Sequence, residues 1–228
     1  MSKNIEDVAI VIQARLGSQR VPQKMIKPFA GTTLIDIFLD KIKQCKSFPL
    51  SNFYLSAYEK EIKEIAQRHS VNVFHRSEKS AKSEGTPMTE MYEWHDKLPH
   101  KYVILINACV PFLKSETIDA FVNEYVATDE NGMFAVINKK NYFWDSNGVI
   151  LTPLTEDVMN TKTMSPTSEA AHCLYASRLD TIQDGIWMGD FNKPGQIKLF
   201  PIAEEETLDI DYPWQFNMCE ALWRNNEV

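Results

Sequence analysis

The 228-residue chain has only four cysteines, Cys45, Cys109, Cys173 and Cys219, widely spaced and without a C-x-x-C. That spacing excludes a zinc ribbon and a compact disulfide framework, and leaves buried free thiols in a reducing compartment. Basic residues are not in excess: 24 Lys and Arg stand against 31 Asp and Glu, a net charge of −7. A general nucleic-acid binder carries a basic face, so no nucleic-acid partner is expected. No apolar run approaches the roughly 20 residues of a membrane span. The opening residues, Met1 to Asp7, lack the apolar core of a signal peptide. The expectation is a cytoplasmic chain with no membrane partner. Catalytic sets are scarce too. No Ser/His/Asp or Cys/His grouping stands out, and His69 and His75 have no visible constellation, so hydrolase chemistry finds no support.

What is present is enough apolar residue to build a sizeable core, at 44% hydrophobic and 11% aromatic. The pattern alternates. Val8 to Ile12 is a continuous apolar run, the mark of a strand buried on both faces. Leu34, Phe38 and Ile42 repeat at helical spacing behind Thr32 and Thr33, which offer an N-cap. Phe53 to Ala57 is a strand, Glu59 to His69 a helix, and Val71 to Phe74 a strand. Thr86 and Pro87 open a helix predicted to run to Lys97. Tyr102 to Asn107 is the central strand, Ser115 to Thr128 a capped helix, and Met133 to Ile137 another strand. Strands at His172–Ser177 and Ile197–Ile202 and a helix after Pro213 complete the series. Such alternation predicts an α/β fold of three layers, a Rossmann-like, mostly parallel sheet covered on both faces, in one domain over residues 1–228. Ligands of such sheets lie at the carboxyl ends of the strands.

The first strand opens into a loop carrying Gly17, Ser18 and four cations, Arg15, Arg20, Lys24 and Lys27. The loop contains neither G-x-G-x-x-G nor G-x-x-x-x-G-K-[ST]. A buried strand leading into a basic Gly-Ser loop still suits a polyphosphate, because backbone N–H groups can turn inward and the cations neutralise charge. Near the other end lie Asp209 and Asp211. Carboxylates at i and i+2 of an extended segment point the same way and present hard oxygens suited to Mg²⁺. The preceding Glu204 to Glu206 reads as a solvated turn. Between residues 138 and 170 the rhythm breaks. Tyr142 to Leu151 reads as a hairpin around Asp145-Ser146-Asn147-Gly148, either a satellite of the core or an arm against a second subunit.

The stretch from Ala14 to Gly31 resembles the N-terminal signature of the sugar-activating cytidylyltransferases, above all acylneuraminate cytidylyltransferases. That signature reads A-R-G-G-S-K-G-I-P-R-K-N-I-K-P-L-A-G and aligns without a gap through Ala14, Arg15, Gly17, Ser18, Pro22, Lys24, Ile26, Lys27, Pro28, Ala30 and Gly31. Leu16 and Arg20 lean toward the 3-deoxy-manno-octulosonate (Kdo) branch, A-R-L-G-S-x-R-L-P. Thr207-Leu208-Asp209-Ile210-Asp211-Tyr212-Pro213 resembles the family's S-x-D-I-D-T-P-E-D. The resemblance implies a nucleotidyltransferase that joins CTP to an acidic sugar, a nonulosonic acid such as N-acetylneuraminate or a relative, releasing pyrophosphate. It implies Mg²⁺ on Asp209 and Asp211, with Arg15 and Lys24 on the triphosphate. Ala14, Gly17, Ser18, Arg76 and Thr86 would complete the nucleotide site. It also implies a homodimer whose 138–170 excursion is the dimerisation arm.

Departures from the pattern cost one phosphate contact, at Met25, and otherwise fall mainly on the sugar side. Met25 replaces the family's Asn. Asn107-Ala108-Cys109-Val110-Pro111 replaces Q-P-T-S-P, and Ala171-His172-Cys173-Leu174-Tyr175 replaces N-G-A-I-Y. No arginine for the sugar carboxylate is evident in the arm, and Lys139, Lys140 or Lys162 would have to serve. His172 in an apolar strand reads first as a core histidine. Alternatively it lines the sugar pocket with Asn107 and Tyr175. The rival readings are a Kdo-type or other sugar cytidylyltransferase, a nucleotide-sugar glycosyltransferase with a D-x-D metal site, and a catalytically impaired relative acting as a binding protein.

Overall fold

The structure is a computed structural model, and it describes residues 2–82, 85–152, 160–191, 193 and 195–225. Its strands are β1 (Val8–Gln13), β2 (Phe53–Ala57), β3 (Asn72–His75), β4 (Tyr102–Ile106), β5 (Gly132–Lys139), β6 (Thr167–Arg178) and β7 (Ile197–Pro201). Its helices are α1 (Leu34–Gln44), α2 (Lys60–His69), α3 (Met88–Met91), α4 (Ser115–Ala127), α5 (Asp180–Gln183) and α6 (Pro213–Asn225). The strands form one sheet in the order β3-β2-β1-β4-β6-β5-β7. β3, β2, β1 and β4 are parallel, β6 runs antiparallel between β4 and β5, and β7 returns parallel to β5. The chain winds outward from β1 to β3 and then restarts on β1's other side at β4. That reversal opens a crevice at the carboxyl ends of β1 and β4.

The predicted α/β architecture is the observed one, and β1 shows why. All its apolar side chains are fully buried. Val8, Ile10 and Ile12 face α1, α2, α4 and α6 and join Phe38, Phe121, Tyr125 and Phe216 in the larger core. Ala9 and Val11 face a smaller cluster of Trp94, Val103, Leu105, Leu179 and Ile182. Each such side chain removed from water contributes about 1.5–3 kcal/mol. α1 is capped as predicted: Thr33 Oγ1 accepts from the Asp36 N–H at 3.2 Å.

Several expectations are corrected. The helix expected to reach Lys97 ends at Met91, because Tyr92 leaves helical geometry and the chain turns to bury Trp94 under the sheet. β6 begins at Thr167, so the excursion between sheet strands covers 140–166, of which 153–159 lie outside the described residues. The Tyr142–Leu151 hairpin is a tight turn with a single bridge, Trp144 to Ile150, rather than a two-stranded ladder. Glu206 is no solvated turn residue. It is buried and accepts from the Lys114 N–H at 3.0 Å, placing an anion at the start of α4. At the other end of α4, Lys3 Nζ donates to the Thr128 and Glu130 carbonyls at 2.6 and 2.7 Å. Gly132 is required where β5 starts, since a Cβ there would lie 1.6 Å from the Met188 carbonyl oxygen. The four cysteines are free, as expected. Among the described residues no helix is long and apolar enough to cross a membrane.

Candidate active site

The loop after β1 leaves the sheet under tight control. The Ala14 N–H donates to Ser56 O at 3.0 Å, and the Leu16 N–H donates to Glu59 Oε1 at 2.8 Å. Ala30 and Gly31 both take positive φ in the tight turn that closes the loop, at 48° and 83°. The Ala30 N–H is held by Glu220 of α6 at 2.9 Å. The loop is thereby pressed against the C-terminal segment, and the two sequence motifs meet. Arg20 Nη2 lies 2.8 Å from Asp211 Oδ1, across 191 residues of chain. Lys24 is buried, donates to the Ile210 carbonyl, and sits 3.7 Å from Asp211 Oδ1. Ser18, Arg20, Lys24, Met25, Cys109 and Asp211 line a cavity of about 340 Å³.

Asp209 is more enclosed than Asp211. Its Oδ2 accepts from Asn107 Nδ2 at 3.3 Å, whereas its Oδ1 is buried without a hydrogen-bond partner. Burial, and then the charge of Asp211, raise its pKa above the ordinary 3.8. An orphaned carboxylate oxygen beside a second carboxylate is the chemistry a hard divalent cation satisfies. Among the described residues no group of three or more His, Cys, Asp and Glu could hold a metal. Two carboxylates match the one or two that Mg²⁺ takes when phosphate oxygens and water complete its shell.

A second cavity, of about 510 Å³, adjoins the first, and Gln13 and Arg15 line both. On one side Arg76 projects from the end of β3, buried and bonded to Ser80 Oγ at 3.1 Å. Burial, and then the neighbouring Arg15, lower its pKa from 12.5 to about 10. Arg15 Nη1 donates to Lys82 O at 2.6 Å. Among the described residues neither guanidinium forms an ion pair, so the place where they converge favours an anion. On the other side stand Asn107, His172, Tyr175, Phe134, Tyr92 and Trp187. His172 is exposed rather than a core residue. It takes φ +50° where the β5–β6 register slips, and Asn107 Nδ2 holds its carbonyl at 2.9 Å. The left-handed backbone conformation of His172 at this bulge re-aims the imidazole, so that it stands outside the core. Burial raises the Tyr175 pKa, and its ring stacks on Phe134 at 5.2 Å.

The fold therefore gathers Arg15, Ser18, Lys24, Arg76, Asn107, His172, Tyr175, Asp209 and Asp211 along one sheet edge. Other expected residues lie apart. Ala14 is buried beneath the loop and the Thr86 hydroxyl donates to Lys79 O at 3.5 Å, and neither lines either of these two cavities. Gly17 is exposed on the loop, and Lys27 turns outward over the Phe216 ring at 4.4 Å. Lys139 pairs with Glu204, and Lys140 donates to Lys162 O at 3.1 Å, all on the arm side and outside the cavity. The sequence reading missed Gln13, Tyr92 and Trp187. Gln13 was legible as a polar residue ending a buried strand. The aromatics resemble ordinary core until the fold turns them into a cleft.

A sequence profile of the cytidylyltransferase family matches residues 9–181, and the chain belongs to that family. The spore coat polysaccharide biosynthesis protein SpsF of Bacillus subtilis is 24% identical over 123 residues, 53% of this chain and 50% of that protein. The 3-deoxy-manno-octulosonate cytidylyltransferase of Rickettsia felis is 29% identical over 129 residues, 55% of this chain and 49% of that one. The chain thus spans about half the length of the curated relatives it matches. Among solved structures, CMP:2-keto-3-deoxy-manno-octonic acid synthetase complexed with CTP superposes with a TM-score of 0.70 at 13% identity. That match covers 96% of this chain and 98% of the other, a likeness of fold.

Proposed function

We propose that the chain transfers a cytidylyl group from CTP to an acidic sugar, giving a CMP-sugar and pyrophosphate. The sugar would be a nonulosonic acid such as N-acetylneuraminate, or a Kdo-type acid. The observation that carries this reading is the meeting of Arg20 and Lys24 with Asp211, beside the orphaned Asp209 oxygen, at the mouth of β1 and β4.

In this reading the pyrophosphate portion of CTP lies among Ser18, Arg20 and Lys24, and the nucleoside lies toward Arg76. The acceptor sugar occupies the side of Asn107, His172 and Tyr175. A sugar hydroxyl oxygen forms a bond to the α-phosphorus while the bond from phosphorus to the pyrophosphate oxygen breaks. The electron pair leaves with pyrophosphate and the hydroxyl proton is released. Asp209 and Asp211 would hold Mg²⁺, which when bound neutralises phosphate charge and orients the α-phosphate. Lys24, held rigidly by Ile210 O, offers a fixed positive charge to the leaving group at no cost in reorganisation. Arg20 must release Asp211 before that carboxylate can serve a metal. Lys139, Lys140 and Lys162 reach a sugar carboxylate only across the expected homodimer, to which the arm offers the well-exposed Trp144, Val149 and Leu151.

Calorimetry with CTP, UTP, ATP and a UDP-sugar, with and without Mg²⁺, tests the reading on the native chain and on Asp209→Ala/Asp211→Ala. CTP binding that requires Mg²⁺ and fails in the double variant is expected. Pyrophosphate release with N-acetylneuraminate or Kdo then distinguishes the acceptor. Preference for the UDP-sugar, or no nucleotide binding, overturns it.

A further inference from the structure

Gln13 ends β1 where the two cavities join. Its amide has two ends of opposite character, and Trp94 decides which faces where. The indole Nε1–H only donates, and it lies 2.9 Å from Gln13 Oε1. Oε1 therefore belongs to Trp94, and the Nε2 donor is turned away from the indole. Trp94 is fully buried against Ala9 and Val11, so it is a fixed post rather than a mobile partner. Among the described residues Nε2 has no protein acceptor.

A nucleotide with its pyrophosphate by Arg20 and Lys24 and its nucleoside by Arg76 must carry its α-phosphate across the junction that Gln13 lines. We propose that Gln13 Nε2 donates to a non-bridging oxygen of that α-phosphate, and that Trp94 is the positioning residue that orients the amide. The inference rests on the cytidylyl-transfer reading and deepens it. A neutral donor suits this place. The cations lie over the leaving pyrophosphate, and a preoriented amide can follow charge on the α-phosphate without drawing the nucleotide out of register.

Calorimetry with three probes, CMP, Mg²⁺·CTP and inorganic pyrophosphate, tests this without knowledge of the acceptor. CMP and CTP carry the α-phosphate environment, and pyrophosphate does not. Gln13→Met removes the donor and is expected to weaken CMP and CTP about tenfold, with pyrophosphate within about twofold. Gln13→Glu keeps an acceptor for Trp94 but sets a carboxylate against the phosphate, so it should weaken the same two probes further. Trp94→Phe leaves the amide free to turn and should lose part of the same affinity in the same pattern, with a thermal melt confirming that it is folded. Equal weakening of CMP and pyrophosphate, or unchanged CMP binding in Gln13→Met, overturns the inference and leaves cytidylyl transfer standing. Failure of the native chain to bind CTP overturns both.

Discussion

Replacing Asp209 by Asn should make the metal-free protein more stable and the metal-loaded protein less so. In the absence of metal, Asp209 Oδ1 is buried without a partner and the carboxylate lies in the field of Asp211. An unpaired buried polar atom costs about 1–3 kcal/mol and a charged one more, so the gain is the difference between a buried carboxylate and a neutral amide. Asp209 is only partly enclosed, so the lower end, about 1 kcal/mol, applies. Asn keeps an oxygen for the Asn107 amide and removes the charge. For a chain of this size the gain corresponds to roughly 2–4 °C in Tm. The pH dependence fixes the sign. A carboxyl whose folded pKa is raised contributes stability that is fully present below its ordinary 3.8 and is lost as pH rises through the folded value. The advantage of Asp209→Asn should therefore be absent near pH 3.8 and appear as pH rises toward 7. Mg²⁺ with CTP reverses the order: at about 100 times its dissociation constant a ligand stabilises by about 2.7 kcal/mol, or roughly 5–10 °C, and the variant should lose most of that. Scanning calorimetry in EDTA and in Mg²⁺·CTP, across pH, reads all three effects. A metal-free variant that melts below the native chain at pH 7, or one that keeps the full Mg²⁺·CTP shift, refutes the reasoning.

Arg20→Gln removes the guanidinium now held 2.8 Å from Asp211 and should tighten nucleotide-free Mn²⁺ binding severalfold, read by electron paramagnetic resonance; unchanged affinity would mean that Arg20 does not compete for the carboxylate. Phe29 is fully buried, edge-on to Phe216 at 5.4 Å and Trp223 at 6.1 Å, so Phe29→Ala should cost about 3–5 kcal/mol in urea unfolding, and a loss below 1 kcal/mol would count against the packing of the loop on α6. Burial lowers Lys41 from 10.5 to about 8. Its stabilising contribution is thus fully present above about pH 10.5 and lost as pH falls through about 8, and the stability of the native chain relative to Lys41→Met should climb between those values. A flat difference across that range would show that Lys41 keeps its ordinary affinity for the proton.

Much of this molecule is legible in its order of residues. β1 could be read because every residue from Val8 to Ile12 is apolar, which only a strand buried on both faces tolerates. α1 could be read because a helical apolar stripe follows a threonine able to cap it. The basic character of the loop and the paired carboxylates Asp209 and Asp211 were legible as local chemistry, since cations and carboxylates at short spacing act through charge alone. Tertiary structure decided which of those groups meet. Lys27 belongs to the same basic loop as Lys24, yet the Ala30–Gly31 turn and α6 send one over Phe216 and the other beneath Asp211. His172 reads as core because it lies in an apolar strand, and a three-residue shift of register against β5 turns it outward. Glu206 looks like part of a solvated acidic turn until α4 arrives with unpaired N–H groups at its start. In each case the deciding contact joins residues far apart in the chain. Local propensity and charge are properties of a segment, whereas register, burial and the partner of a polar atom exist only once distant segments are packed.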